Sequence, residues 1–382
     1  MPYRNWAGGI TARRETGSMR GERQTGVGPA SGVGNPEPGL IIVNHVPFNA
    51  ECPLIEQAAP ITPNHLFYVR NHFPIPACGV SDWRLTIAGE VEQLYELNYE
   101  QFVALSSRSL TVTMECAGNG RALLRPETPG DQWRYGAVST AEWTGVPLGT
   151  VLAAAGLRPA AREVVVEGAD HGWVTGKDEP IRYARGLDLE KALHPDTLLA
   201  YAMNGEPLPV EHGFPLRLVV PGWYGMAAVK WVSRIEVISG RFAGFYQAER
   251  YIIDHPKRGD SAPTPLTTMR TRSLITTPEA GSRLPLGEHV IRGLAWSGVA
   301  PVRRVEVSVD DGETWEPADL AGEPSAYAWR LWEFSWQAST TGPLTLRSRA
   351  FDAAGNVQPV DPEWNRLGYA NNAIQAVEVI VE

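Results

Sequence analysis

Apolar and polar positions alternate over residues 110–114, with Leu110, Val112 and Met114 on one side, the pattern of a half-buried strand. The alternation stops at Cys116-Ala117-Gly118-Asn119-Gly120, where glycines on both sides of Asn119 allow the backbone to turn tightly. Similar runs predict strands over 83–89, 163–167, 198–203, 216–220 and 229–237. In the last of these, period two sets Lys230 and Trp231 on opposite faces. Short helices are expected over 99–105 and 148–155. From residue 266 the character changes. Short alternating runs (HVIRGLAW, VRRVEVSVD, LTLRSRAFD, AVEVIVE) are separated by turn signals at Asp311-Gly312 and 354–356. That is the signature of an immunoglobulin-like sandwich. The chain thus reads as an α+β part over 41–258 and an all-β part over 263–382, joined by a Thr/Pro-rich link. Residues 1–40, rich in Gly, Arg, Ser and Pro, read as a flexible tail.

Composition adds boundaries. A chain of 382 residues with 43% hydrophobic and 20% charged positions has room for two cores. A net charge of −9 argues against a nucleic-acid partner, so an anionic substrate would need a local basic pocket. No apolar run reaches the ~18 residues of a membrane span. No signal-peptide segment stands in 1–40, so a cytoplasmic protein is expected, or a periplasmic one from which a signal has been removed. Cys52, Cys78 and Cys116 show neither a disulfide framework nor zinc spacing. Cys116 differs from the other two in lying where a strand runs out into a small-residue loop.

Two other stretches concentrate charge. Arg70 and His72 share one side of an extended segment that Pro74 and Pro76 end stiffly. His212, Arg217 and Lys230 bring three potential cations onto neighbouring elements with few acids nearby in sequence. Exposure explains such a cluster, and so does a bound phosphate. The residues alone leave both readings open.

CAGN followed by Arg121, RNH-x-P-x-P at 70–76, HGFPLR at 212–217, VKW at 229–231, then GLAWSG, SVDDGETW and NVQP resemble, in this order, the sulfite oxidase family. The resemblance covers residues 40–382. It implies a molybdopterin-binding domain followed by an immunoglobulin-like dimerisation domain, with one molybdenum–molybdopterin per chain. Cys116 would be the thiolate ligand of molybdenum, a soft donor suited to a metal that already carries sulfur. The cofactor would lie on Tyr68, Val69, Arg70, Asn71, His72 and Asp170, with its phosphate end held by His212, Arg217, Ala228, Val229 and Lys230. Arg70, Arg121, Trp133, Tyr251 and Arg330 would bind substrate, with Arg70 and Tyr251 joining Cys116 in catalysis. The family usually reads CAGNRR; here Gly120 takes the first arginine place, leaving Arg121 alone for a substrate role. The implied reaction is oxidation of sulfite to sulfate, with electrons passed to an external acceptor such as a cytochrome c or oxygen. The alternative is a nitrate reductase or an oxidoreductase of another sulfur compound. A homodimer is expected, and no haem, since 40 Gly/Pro-rich residues cannot bury one.

Overall fold

Most of the alternating runs become paired strands in the computed structural model, which describes residues 39–254 and 262–382. The expected tail therefore lies almost wholly outside the described residues. A ribbon of β1 (Ile41–His45) and β2 (Phe48–Glu51) leads into two five-stranded sheets. Their strands are β3 (Arg84–Gly89), β4 (Tyr95–Asn98), β5 (Arg108–Glu115), β6 (Val138–Pro147), β7 (Glu163–Gly172) and β8 (Ile181–Asp188). They continue with β9 (Leu198–Met203), β10 (Glu206–Pro207), β11 (Arg217–Val219) and β12 (Val232–Ile238). One sheet runs β10-β9-β6-β5 with β11 on β9; the other runs β4-β3-β12-β7-β8. Leu148, Val151, Leu152 and Ala155 recur at helical spacing and bury one face of the helix Leu148–Ala155, which stops at Gly156 with φ 73°.

Register carries β5 to the site. Each residue from Arg108 to Glu115 pairs with β6, ending with Glu115 opposite Val138. Cys116 then donates its N–H to Ala137 O at 2.8 Å, so the thiol leaves the sheet in a fixed position.

Two expectations change. The strand predicted over 229–237 begins only at Val232, because Trp231 sits at φ 51° and breaks the extended run. Lys230 and Trp231 are therefore not on opposite faces: the Lys230 ammonium lies 4.3 Å from the Trp231 ring centroid. The strand from Glu163 does not end before Asp170 but runs to Gly172, with an irregularity between Glu167 and His171 that turns Asp170 inward.

In the C-terminal part, Arg272–Thr277, Gly287–Trp296, Arg330–Ala338 and Asp319–Leu320 form one sheet. Arg283–Leu284, Ala376–Val381, Gly342–Asp352, Val302–Ser308 and Glu316–Pro317 form the other. Their inward side chains, among them Ile291, Trp332, Val305, Leu346 and Val379, make one core between the sheets. Asp311 and Gly312 take φ 61° and 97°, the left-handed pair that the Asp-Gly signal predicts.

Candidate active site

The loop after β5 is shaped by its glycines and held from both halves of the chain. Gly120 sits at φ 85°, where any side chain is strained, and a Cβ there would crowd Arg272 Nη2 at 2.9 Å. Within the loop, Asn119 N–H donates to Cys116 O at 2.9 Å and Arg121 N–H to Gly118 O at 2.9 Å. From the sandwich, Ala370 N–H donates to Ala117 O at 2.8 Å and Asn371 Nδ2 to Gly120 O at 2.8 Å. Beneath the loop, Arg272 Nη1 donates to Glu115 Oε1 at 2.7 Å and to Asn119 O at 3.3 Å. Trp296 Nε1 and Asn119 Nδ2 supply further donors to the same carboxylate, at 2.9 and 3.0 Å. Glu115 and Arg272 are both almost wholly buried. Burial pushes the Glu115 carboxyl up, and the Arg272 guanidinium opposes that shift.

An inner cavity opens beside the Cys116 thiol. Tyr68, Arg70, Asn71, His72, Asp170, His212, Arg217, Ala228, Lys230 and Tyr251 all line it. Its chemistry is that of a site for an anion. Arg70 Nε and Nη1, Arg217 Nε and Asp170 Oδ1 are buried with no hydrogen-bond partner. Arg217 spends its other nitrogens on His212 O and Ala228 O, at 3.0 and 3.4 Å, and lies 4.6 Å over the Trp143 ring. Desolvation lowers its pKa to about 10, so it stays charged at neutral pH. Lys230 donates to Asn71 Oδ1 and, at 2.7 Å, to Glu211 O. Its pKa is driven down by burial and then by the neighbouring Arg217. His212 is lowered to about 3 by burial, with Arg217 and Lys230 adding to the effect, so its ring is neutral. The one carboxyl among the lining residues, Asp170, is raised to about 6 by desolvation. Cations gathered this densely, with donors left over, match a multiply charged anionic group.

The donor set says how a metal would arrive. Among the described residues no three His, Cys, Asp or Glu side chains group to hold an ion. Cys116 offers one thiol, so a metal bound there must bring its remaining ligands with it. Burial pushes that thiol up, while Arg70 and the Gly118 N–H pull it down. The residues fit a molybdenum–pterin group: a soft donor at one end and a cationic cradle at the other.

An outer cavity continues from the inner one. Arg70, Asn71, His72 and Tyr251 line both, and Arg121, Asp131, Phe245, Tyr246, Leu367 and Tyr369 line the outer one. Tyr251 takes φ 49°, an uncommon conformation for a bulky residue. It stacks on Tyr369 at 4.9 Å, and its hydroxyl meets His72 Nε2 at 2.6 Å. Burial and the Arg70 charge hold His72 well below its usual pKa, so its ring is neutral too. Arg121 donates through Nε to Leu367 O at 3.2 Å and through Nη1 to Asp131 O at 2.8 Å, and lies 5.0 Å from the Tyr369 ring.

Four expected site residues stand elsewhere. Trp133 lines neither cavity; it packs with Tyr68, Cys116 and Trp143 in the core behind the loop. Val69 gives both its N–H and C=O to Ala50, each at 2.9 Å, and Val229 is fully buried with its carbonyl taken by Leu218 N–H. Neither has backbone groups left for a cofactor. Arg330 points away from the site: its guanidinium donates to Gly322 O at 2.6 Å and Val302 O at 3.4 Å within the sandwich. The two tryptophans flanking it, Trp329 and Trp332, are buried rather than stacked on it at the surface. Arg330→Met is accordingly expected to leave the Michaelis constant for an anionic substrate unchanged in steady-state assays. A rise of about tenfold, the loss of one charge-assisted hydrogen bond, would contradict this geometry.

The sandwich does reach the outer cavity, but through Leu367 and Tyr369. Sequence reading also missed Arg185, fully buried under the Tyr251 ring at 5.9 Å, and the pair Glu115–Arg272. The one available signal was the charge of Glu115 next to the cysteine; Arg185 lies in β8 between Arg182 and Asp188 and carried none.

Comparison with known proteins agrees with this geometry. Residues 72–246 match the oxidoreductase molybdopterin binding domain, and residues 264–382 match the Mo-co oxidoreductase dimerisation domain. The mitochondrial sulfite oxidase of Rattus norvegicus is 39% identical over 367 residues, 90% of this chain and 66% of that protein's length. Sulfite oxidase from Gallus gallus is 35% identical over 90% of this chain and 79% of its own. The sulfane dehydrogenase SoxCD from Paracoccus pantotrophus superposes with a TM-score of 0.78 at 31% identity, covering 88% of this chain and 85% of that one. The fold and site are those of a molybdopterin-binding oxidoreductase with a dimerisation domain. The chain belongs to the sulfite oxidase family. It spans about two thirds of the length of the mammalian sulfite oxidases that it matches.

Proposed function

We propose that the protein oxidises a sulfur oxyanion, sulfite in the first instance, in a molybdenum-dependent oxygen transfer that yields sulfate. Held at Cys116, the molybdenum–pterin group would supply two-electron oxygen-transfer chemistry. The observation that carries this reading is the pair of unpartnered Arg70 nitrogens at the join of the two cavities, beside that thiol and facing a cationic cradle. In this reading Asn71, Asp170, Arg217 and Lys230 hold the cofactor, and Arg70 and Arg121 draw the substrate anion inward. The Tyr251 hydroxyl, oriented by neutral His72, donates a hydrogen bond to the reacting oxygen. Tyr369 stacks on Tyr251, and the Nε and Nη1 of Arg70 are buried, a setting that strengthens each charge contact. Electrons leave to an external acceptor, and the matched dimerisation domain supports a homodimer.

The test is a steady-state assay of molybdenum-loaded protein against sulfite and nitrate with artificial electron carriers. Sulfite turnover with about one molybdenum per chain is expected. Nitrate reduction without sulfite oxidation would replace this reading with the nitrate reductase alternative.

A further inference from the structure

The outer cavity is built for more than a three-oxygen anion. It encloses about 350 Å³, within the range of pockets that hold organic molecules. Its inner end is polar, and Phe245, Tyr246, Leu367 and Tyr369 line it together with Asn44 and Arg250. At its rim, Pro47 and Val174 line the opening. Beside them in sequence stand Val46 and Trp173, which at 80% and 70% are the most exposed large hydrophobic side chains among the described residues.

Arg70, Arg121 and Arg250 line the cavity against one carboxylate, Asp131, so it is a site for an anion. Arg121 already gives Nε and Nη1 to the carbonyls of Leu367 and Asp131. Arg330, a third cation expected for a dianion, is held in the sandwich by backbone carbonyls. The Asp131 carboxylate lines the same cavity, with only the Asn49 amide donating to it, at 3.1 Å. Among the cations lining the cavity, Arg70 keeps its buried Nε and Nη1 without partners, and the Arg250 guanidinium lies 5.7 Å from the Phe245 ring centroid. A guanidinium edge, Nε with Nη2 or the two Nη atoms, forms two parallel hydrogen bonds to two oxygens on one centre.

Resting on the reading above, we propose that the outer cavity extends the substrate class from sulfite to organic sulfinates, R–SO₂⁻. The two sulfinate oxygens accept from the Arg70 guanidinium, the sulfur lone pair faces the Cys116 side, and R lies against Phe245 and Leu367. The sulfur loses two electrons as a new S–O bond forms with oxygen that derives from water: R–SO₂⁻ + H₂O gives R–SO₃⁻, two protons and two electrons. No carbon–sulfur bond breaks. The two electrons leave to an external one-electron acceptor, two equivalents per turnover.

The experiment uses molybdenum-loaded full-length protein with ferricyanide as acceptor, and compares benzenesulfinate with sulfite. Formation of benzenesulfonate carrying oxygen from ¹⁸O-labelled water is followed by mass spectrometry. Catalytic efficiency for benzenesulfinate is expected to match or exceed that for sulfite. Phe245→Ala should raise the Michaelis constant for benzenesulfinate about tenfold more than that for sulfite, the weight of one aromatic contact. Phe245→Leu should recover part of the difference. Calorimetry with benzenesulfonate should show the same loss of binding in Phe245→Ala independently of turnover. Sulfite turnover without sulfinate turnover overturns the proposal and leaves the function standing, as does a Phe245 variant that shifts both substrates equally. Turnover of neither by loaded protein overturns the function and the proposal together.

Discussion

Arg272→Gln is expected to destabilise the protein by about 3–5 kcal/mol, because it leaves the Glu115 carboxylate buried without its cation. Trp296 and Asn119 still donate to that carboxylate, and they offset only part of the lost pair. Glu115→Gln should cost a similar amount, since it strands the guanidinium instead. The double variant is the informative one. Two neutral amides in the same place can hydrogen-bond to each other, so most of the loss should return, and the double-mutant cycle should be strongly non-additive. Denaturant midpoints of the four proteins decide it. Single losses below about 1 kcal/mol, or a double loss equal to the sum, would mean that the pair does not clamp the loop. Because Arg272 and Asn371 also touch the residues around Gly120, molybdenum content should fall in the single variants and recover with stability.

Cys116→Ser has the largest expected effect on turnover. Serine matches the thiol in size and can sit in the same loop, so folding and occupancy of the cationic cradle should persist. What disappears is the soft sulfur donor. Loss of a group that only orients a ligand costs 10- to 100-fold, so loss of the ligand itself should exceed about 100-fold in turnover. Steady-state rates beside molybdenum and pterin analysis provide the readout. Normal turnover in the variant, or metal found on Cys52 or Cys78, overturns the assignment. The structure opposes the second outcome. Burial raises the Cys52 thiol to about 12, its Sγ donates to Pro53 O at 3.5 Å, and neither cysteine lines the two cavities.

Much of this was legible in the chain because the signals are local. The alternation before Cys116, the glycines after it, and Arg217 interrupting an apolar strand are each read within a few residues. The helix at Leu148–Ala155 was predicted from residue 148 to 155 and is observed there. What was not legible depends on contacts between distant segments. Arg330 stood in a suggestive sequence, yet the strand that carries it turns its guanidinium onto carbonyls of its own sheet. Tyr369 carried no motif, but the turn at Ala370 (φ 55°) sets it against Tyr251 across more than a hundred residues. Lys230 and Trp231 were misplaced because a backbone in the left-handed region has no signature in a pattern of hydrophobicity.

The cradle around Arg217 and Lys230 has a consequence for the life of the molecule. Burying charges without counter-ions costs free energy, and a bound anion lifts that cost only in the folded state. The unloaded chain is therefore the weaker folder, and loading and resistance to degradation rise together. Newly made copies that miss their cofactor open more often and expose themselves to proteases first. The same positive charges that would hold the cofactor would thus make the unloaded molecule the less stable of the two.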